Sequence, residues 1–194
     1  MSLVSTKWLF NNIDDVKIID CTWHLPKEER NSLEEYNSKH IPNAIYFDID
    51  KNSNQNSDLP HMLPSKKKWE EIVSSLGISN KDKIVIYDNS DLISSCRLWY
   101  SFLYFGHNKE LVYILNGGLE KWNKENFLTT NKKTDLVKAK YLANENNGMV
   151  KNLDEINDNI ETKKFKLVDA RSVDRFEGKT AEPRAGLRSG SIKN

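Results

Sequence analysis

The sequence predicts an α/β fold in which a central parallel sheet is covered by helices on both faces, followed by the start of a second module of the same kind. Over residues 1–128, short apolar runs of the buried-strand type alternate with stretches of helical periodicity, the pattern that folds into a parallel sheet with crossover helices. The run 83–87 is apolar at almost every position, as a strand covered on both faces requires. The apolar run ending in Asp20 and the later stretch 38–43 are echoed by Leu167-Val168-Asp169 and the stretch 189–194, so 149–194 reads as the opening of a second copy.

Taken in order, Ser5 or Thr6 caps a short helix through Asn11, and 16–21 is a buried strand whose end loop carries Trp23, His24 and Pro26. Ser32 caps a helix with Leu33 and Tyr36. The Ile41-Pro42-Asn43 turn then leads into strand 44–47, with Asp48 and Asp50 just beyond it. Loops at the carboxyl ends of parallel strands are where such folds place ligand contacts. A polar loop runs to Pro60-His61-Met62-Leu63-Pro64. Ser65 caps the next helix, which carries Trp69, Ile72, Val73 and Leu76 and is stopped by Gly77. Strand 83–87 ends at Asp88, and helix 94–105 places Leu98, Trp99, Phe102 and Leu103 on one face before Gly106. Strand 111–115, the Asn116-Gly117-Gly118 turn and a helix with Trp122 close the first module. The polar, aperiodic stretch 129–148 reads as an interdomain linker. A helix starting at Asn152 or Asp154 leads to a further strand, 165–168.

Composition narrows the function classes. A chain of 194 residues with 38% apolar and 10% aromatic content builds a packed core. The net charge of +1 spreads evenly, so neither nucleic acid nor a membrane surface is expected as a partner. No run approaches the ~20 apolar residues of a spanning helix, and no basic-then-apolar leader is present, so a cytoplasmic location is expected. Two cysteines, Cys21 and Cys96, are too few for a disulfide scaffold and are read as thiols. No histidine pair has metal-ligand spacing, so neither a metal nor another cofactor is expected. Arg171, Arg175, Arg184 and Arg188 crowd the end of the chain and ask for an anion. The alternative for Arg175 and Arg184 is ordinary ion pairing with Asp174, Glu177 or Glu182.

The order and spacing of several motifs resemble the tandem rhodanese-domain sulfurtransferases. In the first module these are Asp20, Trp23 and Pro26; His40-Ile41-Pro42; Phe47-Asp48-Ile49-Asp50; His61-Met62-Leu63-Pro64; Val85-Ile86-Tyr87-Asp88; Arg97-Leu98-Trp99; Phe105-Gly106-His107; and Asn116-Gly117-Gly118. Val168-Asp169-Ala170-Arg171, Arg175-Phe176 and Glu182-Pro183-Arg184 continue the match into the second module. The resemblance implies a rhodanese-like domain at 1–128, non-catalytic, a linker at 129–148, and the N-terminal part of a second rhodanese-like domain at 149–194. It also implies an enzyme that moves sulfur from a small donor, 3-mercaptopyruvate or thiosulfate, through a cysteine persulfide to a thiol, cyanide or reduced protein acceptor. Arg184 after Glu182-Pro183, and His61 before Met62, match the branch that uses 3-mercaptopyruvate. By the same resemblance Arg175 and Arg184 hold the carboxylate and carbonyl of that donor, and Trp23 walls the substrate cleft. Asp50 and His61 form a proton-handling or orienting pair near the reacting sulfur; the alternative is a turn-forming Asp and a solvated loop His.

The resemblance also exposes a departure. In the family the nucleophile sits in a Cys-Gly-Ser-Gly-Val-Thr-like loop after the fourth strand of the second module. The expectation is therefore that 149–194 stops short of that loop and that the chain alone is inactive. The matching place in the first module holds Asp88, which cannot carry a persulfide. Cys96 lies at a helix start, where the dipole favours a thiolate, but reads more simply as a small residue; Cys21 reads as a core thiol. A phosphatase of related fold would need Cys and Arg where Asp88 and Ser94 stand, so that class is set aside. A catalytically empty rhodanese-like module that binds a partner or small anion is the rival reading.

Overall fold

The computed structural model describes residues 2–183 and 186–192 and divides into two compact units, Met1–Asn147 and Gly148–Asn194. In the first unit a five-stranded sheet has the order β1-β5-β4-β2-β3, formed by β1 (Leu3–Val4), β2 (Lys17–Asp20), β3 (Ala44–Tyr46), β4 (Ile84–Tyr87) and β5 (Val112–Leu115). Every neighbouring pair is parallel, and Asp20 lies level with Tyr46 on one side and Tyr87 on the other. The ends of β2, β3 and β4 are therefore flush, and the loops that follow them share one edge.

Side-chain alternation along the strands builds two apolar layers. Ile19, Ile84 and Ile86 face Trp69, Ile72 and Val73 of α3 (Lys66–Ser75) and Leu98 and Phe102 of α4 (Ser94–Tyr104). Ile18, Val85 and Tyr87 face Leu9 of α1 (Thr6–Asn11), Tyr36 of α2 (Ser32–Ser38) and Leu119 and Trp122 of α5 (Gly118–Lys124). All four residues of β4 are fully buried, as expected for a strand covered on both faces, and burial of each such side chain contributes roughly 1.5–3 kcal/mol.

The caps follow the residue types. The Ser5 hydroxyl accepts from the Trp8 amide (3.1 Å) and the Ser65 hydroxyl from the Lys68 amide (3.3 Å). For α2 the cap is Asn31 rather than Ser32, its side chain accepting from the Leu33 and Glu34 amides. Strand β1 was not foreseen. Two residues carry no periodicity, and this strand exists through tertiary bonds from the Ile114 amide to the Ser2 carbonyl and from the Asn116 amide to the Val4 carbonyl.

The stretch 129–147, expected as a linker, is tied along its length to the first unit. The amides of Ala139 and Tyr141 reach the Ser74 carbonyl and hydroxyl at the end of α3, and those of Asn144 and Asn146 reach the Phe105 and Tyr104 carbonyls at the end of α4. Helix ends leave such carbonyls without intrahelical partners, so this segment supplies what the helices lack. Gly77 and Gly106, both at positive φ, are where it passes closest: a Cβ on Gly106 would lie 2.5 Å from the Asn144 carbonyl oxygen.

In the second unit, α6 (Leu153–Thr162) opens on a capping box between Asn152 and Glu155, and α7 (Val173–Phe176) is a single turn. The strand expected at 165–168 is absent. The segment pairs with no other strand among the described residues, and without a ladder partner an apolar run forms no strand, leaving Val168 81% exposed. Phe165 is instead bracketed by the buried Asn159 side chain, which donates to its carbonyl and accepts from its amide.

Candidate active site

Trp23 follows β2, Asp50 follows β3, and His61 lies further along the loop that leads to α3. Folding brings the three together. The Trp23 ring packs against the α3–α4 side of the core, and its Nε1–H donates to Asp50 Oδ2 (2.8 Å). His61 Nε2 meets the other oxygen, Oδ1, at 2.7 Å. A carboxylate oxygen only accepts, so Nε2 carries a proton, and in the neutral ring the lone pair is on Nδ1. The Trp23 and His61 rings meet edge to face, centroids 4.8 Å apart, which fixes the imidazole plane as well. The Asp50 side chain is 63% exposed, so its pairing with His61 stabilises the fold by at most about 1 kcal/mol. The arrangement orients a base more than it holds the chain together.

His61 has φ = 58°, a left-handed backbone that costs a non-glycine residue roughly 1–3 kcal/mol. Two anchors on consecutive carbonyls hold it there. The Asn54 amide donates to the Met62 carbonyl (2.8 Å), and Arg97 Nη2, from the first turn of α4, donates to the His61 carbonyl. Burial pulls the Arg97 guanidinium below its ordinary pKa, and it forms no ion pair with a carboxylate among the described residues. From the sequence Arg97 stood out only as part of a motif. Its contact spans 36 positions and has no local signal.

Asp88, at the end of β4, is almost fully buried and accepts from the Ser95 amide at 2.6 Å. It serves the start of α4, whose cap position, Ile93, offers no side-chain bond. The cleft beside it, about 530 Å³, is lined by Asp88, Asp91 and Glu120, and its guanidinium, Arg30, is already bound at two points to Glu35. That lining suits a carboxylate donor poorly. The surroundings of both cysteines disfavour the thiolate. Burial pushes the Cys21 thiol well above its ordinary pKa, with the Asp88 and Asp20 carboxylates adding to it; burial and Asp88 also raise that of Cys96, which is exposed. A thiolate nucleophile needs positive surroundings, and here the neighbours are acidic.

His40 and His107 are buried and bonded to backbone carbonyls, and His24 is buried between Glu28 and Glu35.

In the second unit Arg175 bonds through Nε and Nη2 to Glu182 Oε2, and Arg171 Nη1 bonds to Oε1 of the same carboxylate at 2.6 Å. Arg171 also grips Asp169, whose carboxyl is held down to about 2 by those hydrogen bonds. Two of the four clustered guanidiniums thus have anions within the chain. Arg184 lies outside the described residues.

Residues 5–125 match the family model described as Rhodanese-like domain. The chain is 36% identical over 213 residues to "Thiosulfate/3-mercaptopyruvate sulfurtransferase 1, mitochondrial" of Arabidopsis thaliana, covering 98% of this chain and 56% of the relative. It is likewise 36% identical over 199 residues to "3-mercaptopyruvate sulfurtransferase" of Rattus norvegicus, covering 98% of this chain and 66% of the relative. Among solved structures, that of SseA from Escherichia coli, described with the rhodanese fold and mechanism of 3-mercaptopyruvate sulfotransferases, superposes with a TM-score of 0.87 at 32% identity, covering all of this chain and 74% of that one. The chain thus spans a little over half the length of the Arabidopsis protein and about two thirds of the rat one. A parallel sheet in this strand order, a likeness running through nearly every residue and a matching domain model lead to one statement: the chain belongs to the rhodanese-like domain family.

Proposed function

We propose that this chain is the N-terminal part of a sulfurtransferase that takes sulfur from 3-mercaptopyruvate, with thiosulfate as the lesser donor, and passes it through a cysteine persulfide to a thiol, cyanide or reduced protein. The observation that carries the reading is the Trp23–Asp50–His61 cluster, an oriented imidazole with its lone pair on Nδ1. In this reading residues 149–194 begin a second rhodanese-like domain of a tandem pair, and the sulfur-carrying thiolate is neither Cys21 nor Cys96 but lies in that domain's later residues. The thiolate attacks the donor's sulfur, an S–S bond forms, and the C–S bond breaks with its electron pair remaining on carbon. His61 Nδ1 takes the donor's S–H proton and returns it to that carbon, releasing pyruvate. Arg175 and Arg184 hold the donor's carboxylate and carbonyl, each charge-assisted bond contributing ~1.5–3 kcal/mol. In that role Glu182 keeps the Nε edge of Arg175 engaged. A cytoplasmic location belongs to the same reading; among the described residues no helix is long and apolar enough to cross a membrane, and the Arabidopsis relative is named mitochondrial, so fractionation decides it.

Sulfur release by the protein carrying its complete second domain provides the test. It should be faster from 3-mercaptopyruvate than from thiosulfate, and Arg184→Ala should erode the difference; equal or better use of thiosulfate overturns the donor assignment. Residues 1–194 alone should release none, and a persulfide on Cys96 after donor treatment overturns the cysteine assignment. One observation favours a second reading, a binding module without catalysis: Asp88 fills the place of a loop cysteine and its carboxylate is consumed by the Ser95 amide. The mass of the intact gene product separates the two readings, because only the enzyme needs two domains of ~140 residues each.

A further inference from the structure

We propose that Arg97 is a positioning residue for His61: its guanidinium holds the His61 carbonyl so that the imidazole stays in the left-handed backbone pose from which Nε2 reaches Asp50. This deepens the reading above, since it rests on the Asp50–His61 pair handling a proton.

Three observations converge on it. His61 has φ = 58° with a full side chain, a conformation that persists only where its surroundings over-determine it. The loop segment is held at two successive carbonyls from different elements. Asn54 closes the loop on itself at Met62 O, and Arg97 ties His61 O to α4. Only the second bond references the loop to the sheet-and-helix body, because α4 packs through Leu98 and Phe102 into the core. Arg97 lines a small cavity together with Met62, Leu63, Pro64 and Trp69, with Leu98 next to it in the helix. A partly buried guanidinium without a carboxylate partner among the described residues is costly to keep, and the backbone carbonyl of the candidate base is its described acceptor. Charge alone does not explain the placement. A cation meant to tune the imidazole would face the ring, whereas this one faces the main-chain oxygen.

The tautomer of His61 reads the positioning directly. In the 15N-labelled 194-residue chain, long-range 1H–15N correlations of the histidine rings are recorded at a pH about two units above the ordinary imidazole value of ~6.5. Wild type should show His61 as the Nε2–H tautomer, with the Trp23 indole N–H shifted by its bond to Asp50. Arg97→Met should lower the Nε2–H to Nδ1–H ratio severalfold and move the Trp23 indole signal, with Arg97→Lys recovering part of both. Should Arg97→Met fail to fold, Arg97→Gln, polar but too short to reach, reads the same quantities. A folded Met or Gln variant with His61 and Trp23 signals unchanged overturns the role of Arg97 while leaving the Asp50–His61 pair intact. Absence of the Nε2–H tautomer in wild type, or an unchanged Nε2–H to Nδ1–H ratio in Asp50→Ala, which removes the acceptor, sinks the pair and the Arg97 role together.

Discussion

His107 is buried, with Nε2 donating to the Asp82 carbonyl at 3.0 Å, while its Nδ1 meets no hydrogen-bond partner among the described residues. Burial therefore disfavours the imidazolium and lowers its pKa below the ordinary 6.5. The sign of the consequence follows. As pH falls through about 6.5 the unfolded chain takes up a proton that the folded chain refuses, so stability present above that pH is lost progressively down to the folded value. Urea midpoints should fall between pH 7 and pH 5, and His107→Gln should flatten that slope; an unchanged slope would mean that the loss comes from elsewhere. Legibility at this scale was uneven. The strand and helix core residues, Ile84 to Tyr87 or Trp69, announce themselves by apolarity and spacing, whereas a pairing of Asp50 with His61 was expected only from a family resemblance and the Trp23 bond to Asp50 was not expected at all. Nothing in the local sequence tells an Asp at a strand end which of several loop histidines will meet it. Arg97 was harder still, since its acceptor is a backbone oxygen, which every residue possesses.

Among elements, the most informative is the aperiodic stretch 129–147. Its polarity and lack of pattern made it look like a tether, yet Tyr141 is 2% exposed and stacks parallel to His107 at 5.8 Å. Backbone bonds to helix-end carbonyls impose no side-chain period, so sequence pattern is blind to this kind of packing. The glycines were legible as helix stops, but their second duty, admitting a crossing backbone, was not. Gly106→Ala tests that duty. It forces a Cβ to 2.5 Å from the Asn144 oxygen at a φ of 79°, so the protein should lose roughly 1–3 kcal/mol in chemical denaturation, with amides 139–146 exchanging faster. A loss no larger than an exposed helix substitution would show that the segment lifts away at little cost.

At the scale of the whole molecule the two units differ in what holds them. The first has strands buried on both faces between two apolar clusters. In the second, Asn159 is the one buried residue among those described, while Leu153, Val168, Val173, Leu187 and Ile192 are each at least half exposed. Its order comes instead from polar devices: the capping box of α6, the Asn159 bracket on Phe165, and the Glu182 and Asp169 grips on Arg171 and Arg175. Exposed contacts of this kind add little to stability, and a unit of this size is near the lower limit for a self-sufficient core. The echo of the first module led to the expectation of a strand at 165–168, which the structure does not have; an apolar run becomes a strand only with a neighbour to bond. Cooperative unfolding should therefore belong to the first unit. Residues 1–147 expressed alone should unfold in urea with a free energy within about 1 kcal/mol of the 194-residue chain, and native-state hydrogen exchange on the longer chain should show β4 amides at the global limit while those of 165–177 exchange orders of magnitude faster. Equal protection in both units, or a much weaker 1–147, would mean that the second unit has an apolar core of its own or lends stability to the first. The lowered Asp169 and Glu182 pKa values add a direction. Whatever stability these carboxylates contribute is present above their unfolded values near 4 and lost as pH falls towards 2, so acid should release residues 169–182 first, read as loss of amide dispersion there while the β4 signals stay in place.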